Sequence, residues 1–200
     1  MKEDYSITTI SKKEAATILL KYHYLKDESK GFKSGYNYGL MCGTELVGAI
    51  VFTGFPVPEL AKGCFGLDRT EQEGLFELSR LCLHPKVQGS EHNLTSWFVS
   101  KAMRQLRKDT KVKALLSYAD SNHHEGIIYR ACNFLYYGLS AAKKDFWIEQ
   151  DDGSYVKHSR GPMKLLKGEW RDRSRKHRFL LVYDKQLKCR WEVCNEQTTT

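Results

Sequence analysis

Phe76-Glu-Leu-Ser-Arg-Leu-Cys-Leu-His-Pro85, followed after a helical run by Leu115-Leu-Ser-Tyr-Ala-Asp120, decides the fold of this chain. Leu75 to Leu83 has the apolar density of a buried strand, and Pro85 ends it. A polar turn, Gln88-Gly-Ser-Glu-His-Asn93, leads into Leu94 to Leu106. There Leu94, Phe98, Ala102, Met103 and Leu106 recur at helical spacing and predict one apolar face. Asn93 is placed to cap that helix. Val112 to Tyr118 reads as a second buried strand, with Asp120 at its end. Glu125 to Asn133 reads as a short helix with Ile127, Ile128, Ala131 and Cys132 turned inward.

Outward from this segment, Ser11-Lys-Lys-Glu14 is a capping box, and Ala15, Ile18, Leu19 and Tyr22 follow at helical spacing. Tyr5 to Ile10 before it reads as a strand. Tyr38 to Cys42 and Leu46 to Thr53 form a hairpin turning at Gly43-Thr44-Glu45. Residues 29–35 and 61–74 read as loops. Phe134 to Ile148 opens a strand after Tyr136-Tyr-Gly138, Asp151-Asp-Gly153 marks a turn, 156–169 is mixed, and Phe179 to Tyr183 is a last strand. The order predicts an α/β fold with a mixed central sheet flanked by helices and a basic C-terminal extension, not an all-parallel doubly wound sheet.

Two hundred residues suit one domain, 1–200, able to bury a core without disulfides. No run of eighteen apolar residues and no secretory signal is present, so a cytoplasmic protein without a membrane partner is expected. Cys42, Cys64, Cys82, Cys132, Cys189 and Cys194 include no CxxC pair and read as reduced thiols rather than a metal cluster. The net charge is +8, yet residues 157–190 alone hold twelve Lys/Arg against three Asp/Glu, or +9, so the remainder carries −1. A basic segment interleaved with Trp170, Phe179, Leu180, Leu181 and Tyr183 has the footprint of nucleic-acid contact, against the plainer reading of a solubilising face.

Several side chains are candidates for chemistry, each with a plainer rival. The turn at 88–93, with Gly89, Ser90, Asn93 and then Thr95 and Ser96, offers helix-start donors to a phosphate, or is an ordinary polar loop. Asp120 is a general base, an orienting group or a helix cap. Tyr129 falls roughly 130° from the centre of the inward face of its helix. That makes it either a rim tyrosine or a phenol able to protonate a departing thiolate. His23 and Tyr24 end the first helix, where an imidazole serves as base or meets the helix dipole. Arg80 is a charge inside an apolar strand and needs a partner, with Glu77 the nearest in sequence. His123 and His124 lack metal-ligand spacing. Strand, anion-ready turn, helix, strand, acid and tyrosine-bearing helix is the order expected of an acyl-CoA-using transferase core.

Phe76-Glu-Leu-Ser-Arg-Leu-Cys-Leu83, Asn93-Leu-Thr-Ser-Trp-Phe98, Leu116-Ser-Tyr-Ala-Asp120, Gly126-Ile-Ile-Tyr-Arg-Ala-Cys-Asn-Phe-Leu-Tyr-Tyr-Gly138 and Lys176-His-Arg-Phe179 together resemble the Mom proteins of bacteriophages. The likeness runs from about His23 to Tyr183. It implies a fold of the GNAT acetyltransferase superfamily and modification of adenine N6 in double-stranded DNA with a carbamoylmethyl-type group, which protects phage DNA from host restriction. It places His23, Tyr24, Arg80, Ser96, Asp120 and Tyr129 on functional positions and implies acetyl-CoA or a related CoA thioester. Acyl transfer alone does not supply the nitrogen of a carbamoylmethyl group, so a further donor, cofactor or metal ion enters the expectation. The turn at 88–93 has fewer glycines than an ordinary acetyl-CoA loop. Two other readings stand beside this one: an acetyl-CoA-dependent N-acetyltransferase acting on a small amine or protein, and a non-catalytic DNA-binding protein.

Overall fold

The computed structural model describes residues 4–24, 31–158 and 166–194. The sequence expectations on 25–30, 159–165 and 195–200 lie outside the described residues. Ten strands and four α-helices are present among those described: β1 (Tyr5–Thr9), α1 (Lys12–Tyr22), β2 (Tyr36–Cys42), β3 (Glu45–Gly54), α2 (Pro58–Phe65), β4 (Leu75–Leu83), α3 (Leu94–Asp109), β5 (Ala114–Asp120), α4 (Ile127–Arg130), β6 (Leu135–Leu139), β7 (Lys143–Glu149), β8 (Tyr155–Lys157), β9 (Gly168–Arg173) and β10 (Lys176–Val182). The central seven-stranded sheet has the order β1-β2-β3-β4-β5-β10-β6, and only β4 and β5 run parallel within it.

Helices cover both faces of this sheet. Leu94, Phe98, Val99, Ala102, Met103 and Leu106 of α3 pack on Tyr38, Leu40, Val47, Ile50, Phe52, Leu115 and Phe179. On the opposite face, Ala15, Ile18 and Leu19 of α1 meet Ala49 and Val51, while Ala61, Cys64 and Phe65 of α2 meet Ala114, Leu116 and Leu180. Burial on both faces explains the near-continuous apolar run of β3. The capping box forms as read: Glu14 N–H donates to Ser11 Oγ, and Ser11 N–H donates to Glu14 Oε2. Among the described residues no helix is long and apolar enough to cross a membrane, and all six cysteines carry free thiols.

The ladder between β4 and β5 is short. Leu75–Leu78 pair with Ala114–Ser117, and there the pairing stops. At that point β4 carries an extra residue: Phe52 faces Leu78 and Val51 faces Arg80, leaving Ser79 as a bulge against β3. The Ser79 hydroxyl donates to the Val51 carbonyl at 3.2 Å. A bulge bends its strand, so Ser79–Leu83 follow β3 while Tyr118–Asp120 follow β10, with Asp120 opposite Lys176. A gap opens between them.

Four expectations change. Residues 61–74 are not a plain loop: α2 starts with Pro58 in its first turn and ends at Gly66, whose φ of 77° suits a glycine C-cap, and a 3-10 turn spans Arg69–Glu71. Asn93 sits at the start of α3 but with φ 57° and no side-chain cap bond. The helix expected over Glu125–Asn133 is a single turn, α4. Ile127 is 70% exposed and Ala131 is exposed, whereas Tyr129 and Cys132 are buried. The expected helical phase fails because left-handed Gly126 and Asn133 bracket the turn, and because Tyr129 packs on Phe134 and Phe179. A Cβ at Gly126 would lie 2.3 Å from the Phe179 ring, so that approach requires glycine. The basic segment, lastly, is not appended to the core. It supplies β10, an interior strand, and β9 of a second sheet, β8-β7-β9, inserted between β6 and β10.

Phe98 is fully buried at the centre of the α3 contact. Phe98→Ala is expected to cost about 3–5 kcal/mol of stability, read as a lowered denaturation midpoint with an unchanged slope in urea.

Candidate active site

Two cavities meet where β4 and β5 part. The first, about 440 Å³, is walled by Tyr22, His23 and Tyr24 after α1, by Ser79–Leu83, by Gln88 and Thr95, and by Tyr118 and residues 124–129. The second, about 600 Å³, takes in Glu77, Asp120, Ser174, Lys176, Arg178 and Trp191, with Lys143 and Arg173 from the inserted sheet. Tyr24, Ser79, Arg80 and Tyr118 belong to both walls. Trp191 is delivered by the last described segment, which is tied to α2 by Arg190 N–H donating to the Cys64 carbonyl at 2.8 Å.

His23, Tyr24, Arg80 and Tyr129 therefore come together on the first cavity. The His23 ring is 5% exposed. Burial, with the charge of Arg80 and the neighbouring His124, lowers its pKa to about 4, so the imidazole is neutral at pH 7. It stacks on Tyr24 at 4.5 Å, and Tyr24 in turn lies against His123 and His124. The Tyr129 phenol is pushed up to about 12 by burial, opposed by a hydrogen bond with Ser117. It keeps its proton at neutral pH. Arg80 donates from Nη1 to the Ser79 carbonyl at 2.6 Å, while its buried Nε–H has no partner among the described residues. The guanidinium charge borders both cavities, where it attracts an oxygen carrying negative charge, although the unpaired Nε–H is itself buried from solvent.

Asp120 lies on the second cavity and is occupied. It pairs with Lys176, accepts from Ser174 Oγ at 3.0 Å, and accepts from the Asn122 N–H at 3.0 Å. Burial alone would raise its pKa, but these bonds and the Lys176 charge hold it below the ordinary value. Gly89, Ser90, Asn93 and Ser96 line neither cavity. Ser90 donates to the Val87 carbonyl and Ser96 to the Asn93 carbonyl. Their neighbours Gln88 and Thr95 reach the first cavity instead. With no side-chain cap from Asn93, the first-turn amides of α3 keep donors for an anion. No group of three or more His, Cys, Asp and Glu among the described residues is arranged to hold a metal ion.

Glu77 is the group that the sequence reading passed over, weighing it only as a partner for Arg80. The two form no ion pair among the described residues. Burial pushes the Glu77 carboxyl up to about 7, although Arg80 and Lys33 pull it down. Its signal in the sequence was the spacing Glu77-x-Ser79, two polar residues on one face of an otherwise apolar strand. Ser79 as a bulge, and Tyr118 and Trp191 as walls, had no such signal.

The sequence profile of the Mom protein family matches residues 4–199. No curated protein matches the chain. Among solved structures, an acetyltransferase of Bacillus subtilis in complex with CoA is 14% identical with a TM-score of 0.51, over 89% of this chain and 97% of that one. A GNAT family acetyltransferase of Elizabethkingia anophelis with acetyl-CoA bound is 13% identical with a TM-score of 0.53, over 90% and 99%. A putative acetyltransferase of Salmonella typhimurium with its cofactor acetyl-CoA is 11% identical with a TM-score of 0.53, over 92% and 96%. The likeness is one of fold: the chain has the GNAT architecture.

Because the folded state holds a proton on Glu77 that the unfolded chain gives up near pH 4.5, the contribution of Glu77 to stability falls as pH rises from about 4.5 to about 7 and is then flat, while His23, lowered to about 4, contributes with the opposite sign below about 6.5. Glu77→Gln should remove the Glu77 contribution and leave that of His23. The stability gained by the variant over the parent, measured by urea denaturation across that range, should grow with pH and level off above about 7.

Proposed function

The chain belongs to the Mom protein family, and from that premise we propose that it is a GNAT-type, CoA-thioester-dependent transferase that modifies adenine N6 in DNA with a carbamoylmethyl-type group, shielding phage DNA from restriction. The observation that carries this reading is the parting of β4 from β5, which sets a first cavity for a cofactor arm and a second for an acceptor on either side of Arg80.

The residues of the first cavity fit acetyl-CoA. Ser79–Leu83 leave β5 and border the cavity with Arg80 among them, and the start of α3, which reaches the cavity at Gln88 and Thr95, would hold the phosphates through backbone amides, with Gly89, Ser90, Asn93 and Ser96 shaping the turn behind rather than lining the cavity. When bound, acetyl-CoA would supply an activated acyl group, whose direct transfer to N6 with release of the CoA thiol gives an acetyl amide; a carbamoylmethyl group, joined to N6 through its methyl carbon, requires a nitrogen donor and a two-electron oxidant in addition. Glu77 accepts a proton from the N6 amino group, its pKa near 7 matching that task. Arg80 steadies the oxygen on which negative charge gathers. Tyr129 holds a proton for a thiolate. Tyr24, on both walls, orients the acceptor, and neutral His23, stacked on it from the first cavity, holds its ring in place. Asp120, fixed as a carboxylate, orients through Lys176 and Ser174. Adenine N6 is reached only if the base leaves the helix stack.

Nucleoside mass spectrometry on plasmid DNA from cells expressing the protein tests this. A new deoxyadenosine species is expected, reduced about 10²–10⁴-fold by Glu77→Gln and about 10²–10³-fold by Arg80→Gln. Unaltered nucleosides together with thioester-dependent acetylation of an amine would replace the DNA reading with that of an N-acetyltransferase.

A further inference from the structure

The inserted sheet meets the second cavity at one unusual pair. Lys143 and Arg173 are cross-strand partners at the end of the β7–β9 ladder, so they share a face, and both stand on the cavity wall. Like charges directly opposite each other on a ladder repel. Little offsets this pair. The Arg173 side chain is 3.9 Å from Asp145, a carboxylate already held by Lys157 at 2.7 Å. Lys143 is exposed and has no ion-pair partner among the described residues. Of the other cations on this wall, Lys176 is engaged with Asp120 and Arg178 with the Tyr137 carbonyl and the Trp191 ring, while Arg80 stands where the two cavities meet, away from the inserted sheet. Two cations side by side at a cavity edge, with only the Asp145 carboxylate shared between Arg173 and Lys157 to offset them, form a site for one bridging anion. Behind them the cavity of about 600 Å³ carries Tyr24, Tyr118 and Trp191, aromatic surface of the kind on which a base stacks.

We propose that the second cavity receives one nucleotide of a nucleic-acid strand, with its phosphate bridged between Lys143 and Arg173 at the mouth and its base among Tyr24, Tyr118 and Trp191. The assignment rests on the DNA-modification reading and adds to it the part of the fold that grips the strand. A single phosphate explains why the repulsive pair is kept, and a planar base explains the aromatic walls. An acidic peptide would use the first feature and not the second.

The test is an anisotropy titration of a labelled single-stranded adenine oligonucleotide against the whole protein at several salt concentrations. Loss of the one bridged phosphate in the double variant Lys143→Gln, Arg173→Gln should reduce the steepness of log affinity against log salt by about 0.7, the value for one phosphate neutralised on a single strand. Coenzyme A affinity should be unchanged, and a thermal melt should confirm folding. Lys144 lies on the same strand but the opposite face, 3.7 Å from Asp172, so Lys144→Gln should leave the salt slope as it is. An unaltered slope in the double variant, or an equal loss in Lys144→Gln, would overturn the mouth as a phosphate site, as would a polyglutamate peptide that binds as tightly as the oligonucleotide. If the parent protein still yields a modified deoxyadenosine in cells, only this assignment falls. If it yields none and binds no oligonucleotide, the functional reading falls with it.

Discussion

Parallel strands hold one another only while their backbone hydrogen bonds continue, and here β4 and β5 hold for four residue pairs. The bulge at Ser79 ends the ladder by bending β4 toward β3. Had pairing run on to Leu83, the sheet would have closed over both cavities. Because it stops, Arg80 is left between two spaces with its charge bordering both, and α3, which connects the two strands, begins beside the same opening. The buried face of α3 and the aromatic stack of Tyr129, Phe134 and Phe179 keep the gap from collapsing. The two cavities of this chain are built around this one interruption.

Two carboxylates on the same cavity wall are treated in opposite ways. Among the described residues Glu77 has no hydrogen-bond partner that would favour its charge, and burial keeps it protonated until near neutrality. Asp120 receives a lysine, a serine and a backbone amide, and stays ionised far below that. One is able to exchange a proton at physiological pH, and the other is fixed as a structural charge at the junction of β5 and β10. Environments that push two acids apart in this way separate a reactive role from an orienting one.

Much of this was legible in the sequence. The spacing of Leu94, Phe98, Ala102, Met103 and Leu106, the Ser11–Glu14 box and the bounds of β4 all state local rules that tertiary packing then obeys. The limits of α2 were also written, in Pro58 and Gly66, but its eight residues give too few turns for periodicity to register. What sequence does not carry is which neighbour wins a contest for a side chain. A helical wheel put Ile127 and Ala131 inward; Phe179, from a strand 48 or more residues away, decides instead that Tyr129 goes in. The same holds for the basic segment. Its charge was plain, but that it would form an interior strand and the rim of a cavity depends on register set by β5 and β6. His23, Tyr24, Arg80, Asp120 and Tyr129 gather around the two cavities, while Gly89, Ser90, Asn93 and Ser96 stay at the edge, because the turn holding them spends its hydroxyls on its own carbonyls.

The place of β10 in the sheet has a consequence for assembly. It fills the slot between β5 and β6, yet it follows every other described strand in the chain. Until residues 176–182 have been made, β5 has an open edge and Asp120 has no lysine. Pairing it spans more than fifty residues, a long loop to close and a slow step for a chain of mixed topology. A nascent chain that stops before Lys176 lacks Lys176, Arg178 and Trp191 from the second cavity wall, so synthesis itself withholds that wall until the sheet can be zipped shut from its middle.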